Sequence, residues 1–109
     1  MDLNFYQDAA LQTALYPNRG TNFVYPALGL LGEAGEIANK LKKVIRDNDG
    51  VLTDTVRDVV ADEIGDVLWY VASLAHEMDY DLNSIAERNV DKLRSRMERG
   101  VIQGSGDNR

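Results

Sequence analysis

Apolar residues recur at helical spacing in four stretches of this chain, and no stretch alternates as a strand would. Phe5, Ala9, Leu11 and Leu15 mark a first helix, capped by Asn4 with Gln7 in the capping-box position and stopped by Pro17. Residues 16–22 read as a loop. Pro26 suits the first turn of a second helix that runs to about Arg46. Its apolar stripe is Ala27, Leu31, Ala34, Ala38, Leu41 and Ile45. Residues 47–50 form a turn, and Thr55 with Asp58 offers a capping box for a third helix to about Met78. Val56, Val60, Ile64, Val67, Val71, Leu74 and Met78 form its core stripe. Asn83 or Ser84 caps a fourth helix that ends at Gly100, with Leu82, Ala86, Val90, Leu93 and Met97 as its apolar face. Four helices with short links predict an all-α fold, an antiparallel four-helix bundle over residues 1–100. The tail, residues 101–109, carries Gly104-Ser105-Gly106 and is expected to be mobile on its own.

The acidic residues change this picture. Gly32-Glu33-Ala34-Gly35-Glu36 and Asp62-Glu63-Ile64-Gly65-Asp66 each hold two carboxylates three residues apart, so each pair shares a helix face. The spacer lets one helix end and a second return antiparallel, so that Glu33, Glu36, Glu63 and Asp66 converge. Such a cluster repels itself, and a hard divalent cation is the simplest way to stabilise it. Glu63 falls within the edge of the apolar arc of its helix, with Asp66 and Tyr70 on the same flank. A glutamate at a packed seam is costly unless paired or metal-bound. Glu33 flanks the stripe of the second helix, whereas Glu36 projects nearly opposite it and reaches a seam only if that helix packs on two sides. Lys40, one turn after Glu36, can neutralise it and is placed with the substrate-binding residues.

Composition narrows the chemistry. At 109 residues the chain is one domain, small enough that self-association would help it. It has no cysteine and one histidine, His76, which leaves oxygen donors and points to magnesium, with manganese as a substitute. A net charge of −6 argues against nucleic-acid or membrane partners, and no apolar run approaches the ~20 residues of a membrane span. Met1-Asp2-Leu3-Asn4 lacks the regions of a secretory signal, so a cytoplasmic location is expected. Asn89, Lys92 and Arg96 line one flank of the fourth helix and suit phosphate oxygens. Tyr70 is placed to stack on a base or to fill the core; Trp69 points away from its stripe, where an oligomer contact or a stacked base would suit it, and the contact is the expected reading. Gly29, Gly32 and Gly35 cost roughly 0.8–1 kcal/mol each inside a helix, and mark close approach of a backbone or ligand.

The run from Phe23 to Glu36, followed by Asp62-Glu63-Ile64-Gly65-Asp66-Val67-Leu68-Trp69, resembles the MazG-like nucleoside triphosphate pyrophosphohydrolases, whose signature is E-x-x-E, a spacer, then E-x-x-D. The resemblance implies an all-α, magnesium-dependent hydrolase, a homodimer or homotetramer, converting a nucleoside triphosphate to the monophosphate and pyrophosphate. It places Glu33, Glu36, Glu63 and Asp66 on the metal, and Asn89, Lys92 and Arg96 on phosphate or sugar. The tail resembles that of a short subgroup and is expected to order over the nucleotide. Water would attack the α-phosphorus, with Glu36 or Glu63 as the base. A hydrolase of another phosphoanhydride, such as a deoxyuridine nucleotide or an alarmone, and a non-enzymatic metal-binding helical module are the competing readings.

Overall fold

The computed structural model describes all 109 residues and contains four α-helices and no strand: α1 (Leu3–Leu11), α2 (Val24–Asp47), α3 (Asp54–Glu77) and α4 (Leu82–Glu98). The fold is all-α, the expected four-helix bundle. Its caps differ by a few residues from those the pattern predicts. Asp2, not Asn4, caps α1 by accepting from the Phe5 amide at 2.7 Å. Asn4 instead accepts from the Asn83 amide, tying the start of α4 to α1. The first helix ends at Leu11, well short of the Pro17 stop, because Thr13 turns its hydroxyl back onto the Ala10 carbonyl and Arg19 takes the Leu11 carbonyl. Thr53 caps α3 and Asp81 caps α4, each two or three residues ahead of the expected position.

Helices α2 and α3 form a long antiparallel hairpin. The residues that α2 turns inward are Pro26, Leu30, Glu33, Ile37, Lys40 and Val44, spaced 4-3-4-3-4. Opposite them stand Val56, Val60, Glu63, Val67, Tyr70 and Leu74 at the same spacing. Such a spacing gives a straight seam between two helices. The stripe predicted for α2 lies one residue later along the chain, a rotation of roughly 100°. Most of it faces outward instead: Leu31 is 71% and Ile45 73% exposed, while Ala27 and Leu41 are half-buried. α2 carries two apolar faces, and α3 covers the one that also holds Glu33 and Lys40. On α3, Ile64 and Met78 likewise lie outside the seam.

The other helices pack at one end of the hairpin. Ala10, Ala72, Ala75 and Leu82 form a small-residue core there, flanked by Tyr6, Trp69, Val71 and Ile85. Small side chains let α1, α3 and α4 approach closely, and a buried glutamine fixes their register. Gln7 donates to the carbonyls of Ala72 and Tyr80 and accepts from the Leu82 amide, so one side chain joins three segments. Its removal would leave buried backbone groups unpaired, which is the expensive outcome. Beyond this junction α4 runs free of α2. Val90, Leu93 and Met97 on its expected apolar face stay exposed. The radius of gyration is 16.8 Å, against about 13 Å for a closed domain of this size. A bundle this open leaves its apolar faces without an intrachain partner.

The tail folds back on the end of α4. Arg96, buried and not on an open flank, donates to the Asp107 carbonyl at 2.9 Å, and Arg109 donates to the carbonyls of Val101, Ile102 and Gly106.

Candidate functional site

Midway along the hairpin the seam becomes polar. Glu33 from α2 and Glu63 and Asp66 from α3 each bring a carboxylate oxygen within 4.8 Å of the other two. Neither helix can turn these side chains away, since Glu33 and Glu63 occupy seam positions between Leu30, Ile37, Val60 and Val67. The Glu33 carboxyl is held above its ordinary pKa by burial first, then by a hydrogen bond shared with Glu63 and the charges of Asp66, Glu63 and Glu36. Three hard oxygen donors that repel one another this way fit a divalent cation. Glu36 lies outside the trio, 56% exposed, with its carboxylate 3.9 Å from the Lys40 ammonium. Lys40 also reaches Glu63 at 3.3 Å, a pairing across the helices that i,i+4 reasoning on α2 does not reveal.

Beside the trio opens a cavity of about 360 Å³ lined by Thr13, Glu33, Asp66, Trp69 and Tyr70. Its aromatic wall is braced from behind. Tyr70 lies edge-on to Trp69, with ring centres 5.0 Å apart, and 6.4 Å from Tyr25, which stacks on Tyr16 at 4.8 Å. Burial, then Tyr25 and Glu33, push the Tyr70 phenol pKa up. The Tyr70 ring rests directly on the α2 backbone at Gly29, where a Cβ would overlap it. Close approach therefore explains Gly29, whereas Gly32 and Gly35 face open space. Trp69 is not left on a free surface: it packs against the α1 junction and donates its indole N–H to the Thr13 hydroxyl at 2.8 Å.

Two anchors behind the wall escape sequence reasoning. Glu77 accepts from the Tyr16 hydroxyl at 2.7 Å and the Gly20 amide at 2.8 Å, pinning the loop between α1 and α2. Burial raises its pKa, but the hydrogen bonds from Tyr16, Gly20 and Asn22 outweigh it and the net shift is downward. In return the Tyr16 phenol is pushed up to about 12, by burial first and then by that carboxylate. Tyr6 has its pKa raised by burial and by Asp66, which sets it near the acids as well. Its spacing from Leu3 and Ala10 was the available signal.

Asn89 and Lys92 stand elsewhere. They line a larger opening of about 560 Å³ along α4 with Ile85, Arg88 and Asp91, which includes none of Glu33, Glu36, Glu63 and Asp66. The larger opening is built from one helix; the acid-lined cavity carries the chemistry. Within one chain α4 does not contact α2, so Asn89, Lys92 and the buried Arg96 are not gathered with Glu33.

A family model for the MazG nucleotide pyrophosphohydrolase domain matches residues 26–101, which include all four acids. The Gene 37 protein of Mycobacterium phage L5 is 54% identical over the whole length of both chains. No solved structure matches.

Proposed function

This chain belongs to the MazG nucleotide pyrophosphohydrolase family, and on that premise we propose that it hydrolyses (deoxy)nucleoside triphosphates to the monophosphate and pyrophosphate, with magnesium as the working ion. The observation that carries this reading is the trio of Glu33, Glu63 and Asp66 oxygens within 4.8 Å, presented by two helices packed along a rigid seam. A divalent cation held there would neutralise phosphate charge and polarise the phosphorus under attack.

The chain's own residues supply the rest. Glu36 is one turn from Glu33, outside the trio and open to solvent, so it is the carboxylate free to take a proton from water near the α-phosphorus. Glu63, largely covered and held by Lys40, serves as ligand. Tyr70 and Trp69, fixed by Gly29 and Thr13, offer the nucleoside an apolar wall beside the acids. Arg88, Asn89 and Lys92 on α4 match phosphate oxygens, and in this reading a second copy brings them to the acids. A homodimer or homotetramer would also cover Leu28, Leu31 and Ile45 on α2 and Val90, Leu93 and Met97 on α4, all exposed in the single chain. The tail would release Arg96 to the triphosphate and close over it. No helix is long and apolar enough to cross a membrane.

A panel of nucleoside di- and triphosphates with magnesium tests this directly. Pyrophosphate release from a triphosphate, lost by on the order of a hundredfold or more in Glu63→Gln, is the expected result. Turnover of only a diphosphate would favour the related phosphoanhydride reading, and metal-dependent stabilisation with no turnover would favour the non-enzymatic one.

A further inference from the structure

Lys40 sits at a seam position where an apolar residue would pack better. Its side chain is 32% exposed, and its ammonium lies 3.3 Å from Glu63 and 3.9 Å from Glu36. Glu63 thus faces two demands at once: it belongs to the trio with Glu33 and Asp66, and it is the nearest anion to Lys40. The four acids have this one basic partner, since the remaining ion pairs of the chain join Arg46 to Asp47 and Arg57 to Asp54. Apart from Glu33 and Lys40, the inward positions of α2 hold apolar side chains, Pro26, Leu30, Ile37 and Val44. A lysine maintained there offsets the cost of its own burial by offsetting that of the acids.

We propose that Lys40 is a built-in counter-cation that holds Glu36 and Glu63 in position before metal binds, and competes with the metal for Glu63 afterwards. The inference rests on the trio being a metal centre. Its consequence is opposite in sign for fold and for affinity. Without Lys40 the acids repel unopposed and the metal-free fold weakens. A divalent ion then meets a more negative site and no longer shares Glu63, so it binds more tightly. A unit charge a few ångströms from a doubly charged ion, screened by solvent and free to swing aside, weakens binding on the order of threefold to tenfold.

The test is calorimetric titration of Mn2+, without nucleotide, into the full-length protein stripped with a chelator. Lys40→Gln is expected to bind Mn2+ about threefold to tenfold more tightly than the wild type, with a lower metal-free Tm. Lys40→Arg, which keeps the charge, and Lys42→Gln, which removes a charge from the outward side of α2, are expected to match the wild-type affinity. Should metal-free Lys40→Gln be unfolded, the rise of its Tm with Mn2+ concentration reads the same affinity. Equal or weaker binding by Lys40→Gln overturns the proposal, as does an equal gain in Lys42→Gln, which would assign the effect to net charge. Failure of the wild type to bind Mn2+ at all would instead remove the metal centre, and with it the premise.

Discussion

Gly29→Ala probes the contact that fixes the aromatic wall. In a free helix the change would stabilise by about 1 kcal/mol, because alanine is the better helix former. Here the new methyl would occupy the space of the Tyr70 ring edge. Trp69, edge-on at 5.0 Å, and Tyr25, 6.4 Å away and itself stacked on Tyr16, hem the ring in, so it can yield only by giving up this packing toward the cavity. Overpacking of this kind costs roughly 1–3 kcal/mol, and a braced ring argues for the upper end. Net destabilisation of about 2 kcal/mol is therefore expected, a fall in Tm of roughly 8–16 °C for a domain of this size. The decisive form is a double-mutant cycle with Tyr70→Leu, read by urea unfolding at fixed protein concentration and followed by circular dichroism. With the ring removed, Gly29→Ala becomes neutral or stabilising by up to about 1 kcal/mol. A coupling of about 2–3 kcal/mol results. If Gly29→Ala stabilises the wild type, or has the same effect in both backgrounds, the packing of Tyr70 on α2 is refuted.

Other outcomes follow from the same geometry. Glu77→Gln should cost about 1–3 kcal/mol near neutral pH through its weakened hydrogen bonds to Tyr16 and Gly20. Because the folded-state pKa of Glu77 is depressed, its contribution is full above the unfolded value of 4.5 and is lost as pH falls through the folded one. The wild-type advantage over Glu77→Gln in denaturant midpoint should therefore shrink on acidification below about pH 4.5; a constant gap would contradict it. Glu33 has the opposite sign. Its pKa is raised, so its ionisation opposes folding above that pKa, and metal-free Glu33→Gln should be more stable than wild type at pH 7 but not at pH 4. Thermal scans at the two pH values check this. Leu31→Asp, at an outward position 71% exposed, should leave the chain folded yet shift it to monomer in sedimentation velocity; an unchanged assembly would place the interface elsewhere. Deleting residues 103–109 should raise the KM for nucleotide or lower turnover, and unchanged constants would dismiss the tail as a cover.

The hydrophobic pattern disclosed the number and order of helices because each carries its own 3.6-residue period. It did not disclose which side of α2 faces α3. That helix has apolar residues at both 26, 30, 37, 44 and 27, 31, 41, 45, and the chain buries the set that carries two charges. Only the pairing of Glu33 and Lys40 with Glu63 across the seam makes that choice intelligible, and a cross-helix pair has no signature in local spacing. Caps failed for a related reason. Asn4 and Gln7 look like the elements of a local capping box, yet both spend their side chains on segments more than sixty residues away. Glu63 was legible from its place at the edge of an apolar arc. The covering of Arg96 by the tail was not, because a buried guanidinium and an exposed one occupy the same helical register.

The account stands or falls on where water enters. Hydrolysis in 18O-enriched water with magnesium, followed by phosphorus NMR of the products, should place the label on the nucleoside monophosphate and leave pyrophosphate unlabelled. Label on pyrophosphate or on released orthophosphate would mean attack at another phosphorus, and would contradict the function assigned to Glu33, Glu36, Glu63 and Asp66.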